Sequence, residues 1–257
     1  MHSGMGYAKH YATFLARHYS WMAGPLAEKV PGEIARLKEL GIGAAGGGRL
    51  AVDLGCGPGY QALALAELGF QRVMALDTSK DLLGELEANI SGRAIEPVCM
   101  DILRLGELVE ASSVDCVTCM GDTLTHLASR EDVTALFRAV HAALVPGGAF
   151  VLSFRDLTQP RSGADRFLMS RADRDRILSC FLDYVDDDFV CVHDILHLRD
   201  GDQWTLRVSA YRKLRLAAGW VVKQLRGLGF DAVEAQPGAA GWTVLKATRR
   251  ALKHSES

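Results

Sequence analysis

The sequence predicts an α/β protein built around a doubly wound, mainly parallel sheet. Between about residues 48 and 157, short apolar runs alternate with stretches of helical periodicity, which is typical of successive βαβ units. The glycine-rich segment "VDLGCGPG" directly follows the first of these runs, where such folds place a ligand loop. A later stretch, at about residues 186–213, has the alternation of an antiparallel hairpin and predicts an addition to the sheet.

Size and composition indicate an ordinary water-exposed protein. The chain has 257 residues, of which 49% are apolar and 23% charged, and its formal net charge is -2. No apolar run approaches the roughly 18 residues of a membrane span, and the first ten residues lack the apolar core of a secretory signal. We therefore expect a cytoplasmic location, with neither a membrane nor a nucleic acid as partner.

The cysteines predict packing rather than metal chemistry. Six cysteines lie mostly within apolar stretches, which fits buried reduced thiols. Cys116 and Cys119 have the C-x-x-C spacing of a metal or redox motif, but they fall within a predicted strand and no second such pair accompanies them. Core packing is the better interpretation, and we expect no metal site.

The N-terminal part, residues 1–47, is predicted to be helical. Tyr7, Tyr11, Phe14 and Leu15 recur at helical spacing between Gly4 and Tyr19. A second helix is expected from about Leu26 to Leu40, where a glycine-rich segment ends it.

The region from residue 48 onward supplies the sheet. Strands are predicted in "RLAVDLG", "RVMALD", "AIEPVCMD", "VDCVTCMG" and "AFVLSFRD", with helices in "QALALAELGF" and "KDLLGELEANI". Pro146 and two glycines predict a turn before the strand at Ala149–Phe154. After the hairpin insertion at about 186–213, a helix near Ala217–Leu228 and strands in "DAVEA" and "GWTVLKATR" complete the chain.

The glycine loop indicates a ligand other than a dinucleotide. Gly55, Gly57 and Gly59 lie between a predicted strand and a predicted helix, but the dinucleotide fingerprint requires a third glycine where this chain has Tyr60. Asp53, just before the loop, offers a carboxylate where a pyrophosphate would be repelled. A cationic ligand is therefore favoured over a diphosphate.

Two more aspartates end the next two predicted strands. Asp77 lies about twenty residues beyond the glycine loop, where a carboxylate accepts hydrogen bonds from ribose hydroxyls. Asp101 ends the following strand, where it is suited to the exocyclic amine of adenine while Ile102 packs on the ring. Either aspartate alone is equally well read as a solvated strand end or a helix cap, so the prediction rests on the set.

The segments "VDLGCGPG", "ALDTS" and "CMD" together resemble the first three motifs of class I S-adenosylmethionine-dependent methyltransferases, over roughly residues 48–155. The resemblance implies a Rossmann-like sheet of seven strands with the last antiparallel, S-adenosylmethionine as cofactor and S-adenosylhomocysteine as product. Residues 1–47 are predicted to form a helical lid on a cofactor-binding domain of residues 48–257, because Tyr11, His18, Tyr19 and Trp21 can line its inner side and aromatic faces attract a sulfonium, although such a stripe also fits plain packing. The expected cofactor-binding residues are Asp53, Gly55, Cys56, Gly57, Gly59, Asp77, Thr78, Asp101, Ile102, Met120 and, from the lid, Tyr19 and Trp21.

On the acceptor side, "CMGDTLTHL", "SFRDL" and "RVSAYRK" are similar to segments of glycine and sarcosine N-methyltransferases. This similarity makes Arg155 the candidate for binding a substrate carboxylate, with Tyr211 and Tyr11 as further substrate-binding residues. Asp122 and His126 are candidate catalytic residues that accept the proton of an amine, although Asp122 is also well suited to cap a helix. Asp122 stands where those enzymes have asparagine, which leaves the substrate open.

These features predict N-methylation of a small amino-acid-like or carboxylate-bearing amine. An O-methyltransferase of a specialised metabolite is the nearest alternative, and a protein that binds the cofactor without catalysis is a third. Nucleic-acid methylation is disfavoured because the chain is slightly acidic and lacks an N-P-P-Y type motif. The expected partners are a small-molecule acceptor and, as an open option, further copies of the chain in a homo-oligomer.

Overall fold

The computed structural model describes residues 6–43, 48–237 and 241–251. The expected helix start at Gly4, the middle of the glycine-rich segment after the second helix, residues 238–240 between the last two strands and residues 252–257 lie outside the described residues. The remaining elements can be compared with the sequence predictions one by one.

The N-terminal part is helical, as expected, but its first helix is divided. A π-helical segment at Tyr11–Leu15 separates α1 (Tyr7–His10) from α2 (Ala16–Ala23). Gly24, at a φ of +110°, ends α2, and α3 follows at Leu26–Glu39. A π turn rotates the residues after it relative to regular helical spacing, so a single amphipathic stripe does not describe the whole segment. None of the helices among the described residues is long and apolar enough to cross a membrane.

Seven strands form the main sheet, in the order β10, β11, β5, β4, β1, β2, β3. Strand β11 runs antiparallel to both β5 and β10, while the other neighbouring strands are parallel. This confirms the predicted seven-stranded sheet with its last strand antiparallel. The strands are β1 (Leu50–Leu54), β2 (Arg72–Asp77), β3 (Ile95–Cys99), β4 (Val114–Cys119), β5 (Leu144–Arg155), β10 (Phe230–Pro237) and β11 (Trp242–Arg249).

Helices cover both faces of this sheet and bury an apolar core on each side. Cys116 and Cys119 are both buried, on opposite sides of β4, which agrees with the packing role expected for them. The covering helices are α4 (Tyr60–Glu67), α5 (Lys80–Glu87), α6 (Leu105–Leu108), α7 (Arg130–Ala143) and α8 (Ala218–Gly227), with 3₁₀ turns at Ile102–Arg104 and Thr123–His126.

Strand β5 begins earlier than predicted. The segment expected to turn before Ala149 is part of the strand, which pairs with β4 from Leu144 onward. The register shifts between the pairs Val114–Leu144 and Cys116–Ala149, so Pro146 and the glycines form an irregularity within the strand instead of a turn.

The predicted hairpin is half of a larger antiparallel sheet. Strands β8 (Phe189–Asp200) and β9 (Gln203–Leu214) pair as expected, and β6 (Phe167–Ala172) and β7 (Arg176–Tyr184) extend the sheet in the order β6, β7, β8, β9. One face packs on the N-terminal helices, where Leu178 and Leu196 contact Leu15. The added sheet therefore supports these helices from outside the main sheet.

Candidate active site

A cavity of about 380 Å³ lies at the carboxyl ends of β1, β2 and β4, the edge at which open α/β sheets bind ligands. The N-terminal helices form its other wall. Residues from the main sheet and its loops line one side, namely Gly55, Gly57, Asp77, Thr78, Ser79, Lys80, Asp81, Leu82, Ile102, Met120, Gly121, Asp122, Thr123, His126 and Leu127. The N-terminal helices contribute Tyr7, Ala8, Tyr11, Ala12 and Tyr19.

The three loop glycines have different roles. Gly55 and Gly57 line the cavity with φ values of +69° and +54°, a region that L side chains adopt only under strain. A Cβ on Gly55 would overlap the side chain of Thr123, whereas one on Gly57 would lie 3.6 Å from Tyr19. Gly59 does not line the cavity: a Cβ there would overlap Leu86, so this glycine permits close packing of α5 on the start of α4.

Asp77 joins the glycine loop to the end of β2. Its Oδ2 accepts a hydrogen bond from the backbone N–H of Gly57 at 2.9 Å, and its Oδ1 accepts one from the N–H of Ser79 at 2.8 Å. Burial raises the pKa of Asp77, and these backbone hydrogen bonds partly oppose the shift. Each carboxylate oxygen retains a further lone pair, so Asp77 can accept the hydroxyl groups of a ribose within the cavity.

Asp53 and Cys56 lie beneath the loop instead of facing the cavity. Asp53 is 1% exposed and its Oδ1 accepts a hydrogen bond from Thr118 Oγ1 at 2.8 Å. Burial raises the pKa of Asp53 to about 7, although the bond from Thr118 acts in the opposite direction. Cys56 is 2% exposed and packs in the core between the sheet and its helices. Neither side chain lines the cavity that the sequence analysis expected it to serve.

Of the two residues expected to bind adenine, Asp101 and Ile102, only Ile102 lines the cavity. Ile102 lines it and is 8% exposed, which suits an apolar contact with a base. Asp101 is exposed, and its Oδ1 accepts a hydrogen bond from the N–H of Leu103, so it caps the short 3₁₀ turn. The helix-cap alternative considered for Asp101 is the role that the structure shows.

Asp122, on the loop after β4, forms ion pairs with two cations. Lys213 Nζ lies 2.6 Å from its Oδ2, Arg155 Nη1 lies 3.3 Å from the same oxygen, and the backbone N–H of Arg155 donates to Oδ1 at 3.0 Å. Burial opposes ionisation of Asp122, but the charges of Lys213 and Arg155 outweigh it and lower the pKa of the carboxyl. A carboxylate with a lowered pKa is a weak proton acceptor, which argues against the general-base role expected for Asp122.

The guanidinium of Arg155 also lies 4.4 Å from the ring centroid of Trp242, and Arg155 does not line the cavity.

His126 lines the cavity among tyrosine rings. Its ring centroid is 5.4 Å from that of Tyr7, 5.7 Å from that of Tyr11 and 5.5 Å from that of Tyr211. Burial, followed by the charge of Lys213, lowers the pKa of His126 to about 3, so the imidazole is neutral near pH 7. Its buried Nδ1 has no hydrogen-bond partner among the described residues. An imidazole with so low a pKa is a weak proton acceptor, which argues against the general-base role expected for His126.

The aromatic residues expected on the inner side of the lid do not all face inward. Tyr11 and Tyr19 line the cavity, but Trp21 does not. The indole N–H of Trp21 donates to Asp173 Oδ2 at 2.5 Å, and the guanidinium of Arg176 lies 4.4 Å from its ring centroid. Tyr211 is 5% exposed and does not line the cavity, but its ring lies next to that of His126, which does.

Sequence reasoning missed Tyr7 and Lys213. Tyr7 was included only as a member of a helical stripe, yet it lines the cavity and lies alongside His126. Lys213 follows Tyr211 by two positions in β9, so both side chains lie on the same face of that strand. The alternation of the predicted strand was the available signal for Lys213, but its pairing with Asp122 depends on contacts across 91 residues of chain.

The cavity residues fit S-adenosylmethionine. Asp77 supplies a carboxylate for the ribose, Gly55 and Gly57 expose backbone without side chains, and Ile102, Leu82 and Leu127 supply apolar surface. The cavity volume of about 380 Å³ also falls in the range of small-molecule sites, roughly 300–1,000 Å³.

Comparison with known proteins gives the same interpretation. Residues 51–148 match the family model described as a methyltransferase domain. Cypemycin N-terminal methyltransferase of a Streptomyces species is 37% identical over 137 residues, which are 51% of this chain and 53% of that protein. The chain spans between 40% and 53% of the length of the curated relatives it matches.

Solved structures share the fold across nearly the whole chain. The CcbJ methyltransferase of Streptomyces caelestis aligns with a TM-score of 0.73 and 22% identity, over 94% of this chain and 98% of its own. CalS10 with bound S-adenosylmethionine, an amino pentose methyltransferase from Micromonospora echinaspora, aligns with a TM-score of 0.64 and 17% identity, over 97% and 100% of the two chains. Residues 51–148 are therefore similar to a methyltransferase domain, within a chain that shares the fold of solved S-adenosylmethionine-dependent methyltransferases.

Proposed function

We propose that this protein transfers a methyl group from S-adenosylmethionine to the amine nitrogen of a small molecule. The observation that carries the proposal is one cavity that combines a carboxylate suited to a nucleoside with a wall of aromatic rings. Asp77, which accepts the N–H of Gly57, lines this cavity together with Asp122, His126 and three tyrosines. Asp77 suits the ribose of a nucleoside, and the rings suit an acceptor.

The residues of the chain promote the reaction mainly by positioning. When bound, the cofactor supplies a methyl group on a sulfonium centre, which a neutral nucleophile attacks in line. Asp77 and the loop of Gly55 and Gly57 hold the nucleoside at the strand ends, so the orientation of the donor is fixed by the main sheet. Tyr7, Tyr11 and Tyr19 enclose the other side, where aromatic faces favour a positive centre and keep water away from it.

An amine acceptor is supported by the chemistry around His126. A neutral imidazole in the cavity wall does not repel a nitrogen that becomes positive during transfer. The name of one relative, an N-terminal methyltransferase, is consistent with this choice. The resemblance to glycine and sarcosine N-methyltransferases remains a prediction.

The expectation that Arg155 binds a carboxylate of the substrate has weaker support. Arg155 forms an ion pair with Asp122 and packs on Trp242, so a substrate carboxylate would have to compete with Asp122 for the guanidinium. We therefore propose a small-molecule amine as the acceptor class and leave a carboxylate on it as an option.

Methyl transfer from labelled S-adenosylmethionine to paired acceptors tests this proposal. Each pair consists of an amine and the alcohol of the same carbon skeleton, with and without a carboxylate, and Asp77→Ala serves as the control for transfer that depends on the cavity. Labelled methylamines formed only by the wild-type protein are expected. Labelled ethers or esters in their place would indicate an O-methyltransferase, and cofactor binding with no labelled product from any pair or from a cell extract would indicate a non-catalytic binding protein.

The proposed partners include neither nucleic acid nor membrane, and a homo-oligomer remains open. Light scattering of the purified protein measures the mass in solution, and a titration with RNA and DNA at low salt tests the first expectation. Salt-sensitive binding of either nucleic acid would contradict it, since phosphate contacts weaken as salt rises.

A further inference from the structure

A buried polar cluster outside the cavity joins the N-terminal helices to the added sheet. His10, the last residue of α1, is fully buried. Its Nδ1 lies 2.8 Å from Ser209 Oγ in β9, and its Nε2 lies 3.0 Å from Asp194 Oδ2 in β8. The ring therefore forms one hydrogen bond, between Nδ1 and the Ser209 hydroxyl, and the contact of Nε2 with the Asp194 carboxylate is close but lacks the geometry of a hydrogen bond. Both ring nitrogens lie against polar atoms of the added sheet.

Aromatic contacts connect this cluster to the cavity. The ring of His10 stacks on Tyr211 with centroids 4.2 Å apart, and the ring of Tyr211 lies 5.5 Å from that of His126, which lines the cavity. On the helix itself, the residues on either side of His10, including Tyr7 and Tyr11, face the cavity. Any displacement of His10 must therefore move cavity-lining side chains.

Burial makes this contact specific. The side chain of Asp194 is 8% exposed, and an isolated carboxylate in such a position would cost free energy unless a partner satisfied it. His10 is a polar partner within reach, and it is supplied by a different part of the chain. When the N-terminal helices move away from the sheet, Asp194 and Ser209 lose this partner together.

A Ser, His and Asp in contact also resemble a hydrolytic triad, but the surroundings exclude that role. Phe14 and Tyr211 stack against the His10 ring, with centroids 5.3 Å and 4.2 Å away, and the ring itself has no exposed surface. Ser209 does not line the cavity in which a substrate would bind. The cluster therefore suits a mechanical role instead of a chemical one.

We propose that His10 is a positioning residue which fastens the N-terminal helices to the added sheet through Asp194 and Ser209, and thereby places Tyr7 and Tyr11 against His126 in the wall of the cavity. This inference rests on the proposed function for its catalytic consequence. The fastening itself is a property of the unliganded chain and does not depend on any substrate.

Hydrogen exchange on the unliganded protein tests the fastening directly. The variants His10→Ala, Asp194→Asn and Ser209→Ala are compared with the wild type, and Lys9→Ala, an exposed neighbour on the same helix, is the matched control. In the His10→Ala protein, amides at residues 7–15 should exchange roughly tenfold faster or more, because the buried contacts of the ring with Ser209, Asp194 and Tyr211 are lost. Amides of β1 and β4 should keep their wild-type protection, and Ser209→Ala should give a smaller change in the same segment.

Kinetics then separates positioning from a purely structural effect. We expect His10→Ala to lower kcat for methyl transfer at least tenfold with a smaller change in the cofactor dissociation constant, and His10→Gln, which retains a polar side chain, to recover part of the loss. Unchanged exchange at residues 7–15 in all three cluster variants would overturn the inference. If the cluster variants exchange faster but the wild-type protein transfers no methyl group, the role of His10 in attaching the helices to the added sheet is supported. That result counts against the proposed function alone.

Discussion

The ammonium group of Lys213 lies 2.6 Å from Oδ2 of Asp122, and the two side chains are only 8% and 10% exposed. This pair connects β9 of the added sheet to the loop after β4, which lines the cavity. Asp122 is therefore a fixed anion that links two layers of the fold, and its proposed contribution is to hold that loop in position.

Replacing Lys213 tests this link. Lys213→Met removes one of two cations from a buried carboxylate, and we expect a loss of about 2–3 kcal/mol in the free energy of unfolding, below the roughly 3–5 kcal/mol of a fully uncompensated buried charge. Urea unfolding measures the loss, with exposed Lys223→Met as the control. The double variant Lys213→Met/Asp122→Asn should regain part of the stability, and equal stability of Lys213→Met and Lys223→Met would contradict the account.

The glycine loop should respond differently at its two cavity-lining positions. Gly55→Ala both strains a φ of +69° and drives a Cβ into Thr123, whereas Gly57→Ala strains only the backbone, at a φ of +54°. We expect Gly55→Ala to lower the thermal midpoint more than Gly57→Ala. Gly106→Ala, where a Cβ meets open space, is the control. The reverse order for Gly55 and Gly57 would show that the loop is arranged differently.

His126 should affect the transfer step more than cofactor binding. His126→Phe retains a ring next to Tyr7 and Tyr211 but removes both nitrogens, so we expect kcat to fall about tenfold, the effect of one lost polar contact. The dissociation constant of S-adenosylhomocysteine should change little. His141→Phe, on α7 away from the cavity, is the control. Wild-type kcat in the His126→Phe protein would remove His126 from the proposed acceptor site.

The pH profile offers an independent test of the same residue. Because the pKa of His126 is lowered to about 3, its charge is constant between pH 5 and 8. The wild-type profile should therefore show the titration of the acceptor amine and no inflection that disappears in His126→Phe. An inflection near pH 6.5 that this variant abolishes would mean that His126 titrates as an ordinary exposed histidine.

Asp53 predicts how stability changes with pH. Its pKa is about 7 in the folded chain and 3.8 in its ordinary state, so between these values the folded state binds more protons and stability falls as pH rises. Asp53→Asn should remove this contribution, which is on the order of a few kcal/mol for a shift of this size. Urea unfolding from pH 5 to pH 8 measures it, with exposed Asp165→Asn as the control. Parallel curves for the wild type and Asp53→Asn would contradict the raised pKa.

Local sequence patterns predicted the part of the site that follows from sheet topology. The ends of parallel strands meet at one edge, so Asp77, Gly55 and Gly57 were expected there and lie there. The same reasoning placed Asp53 and Asp101 at the site, but strand position does not determine the direction of a side chain. Asp53 points into the core beside Thr118, and Asp101 caps its own turn.

The acceptor side was less predictable because it depends on contacts between distant segments. The pairing of His10 with Ser209 spans 199 residues, and no local pattern determines it. Strands β6 and β7 were also missed, since residues such as Phe167 and Met169 are apolar yet 59% and 66% exposed. The alternation that identifies a half-buried strand is absent there.

Calorimetric titration with S-adenosylhomocysteine tests the central claim most directly. The wild-type protein should bind one equivalent, Asp77→Ala should bind at least tenfold more weakly because the ribose loses its carboxylate, and Asp101→Asn should bind like the wild type because asparagine also caps a turn. Folded wild-type protein that takes up no S-adenosylhomocysteine, or an Asp77→Ala protein that binds it with wild-type affinity, would contradict the account.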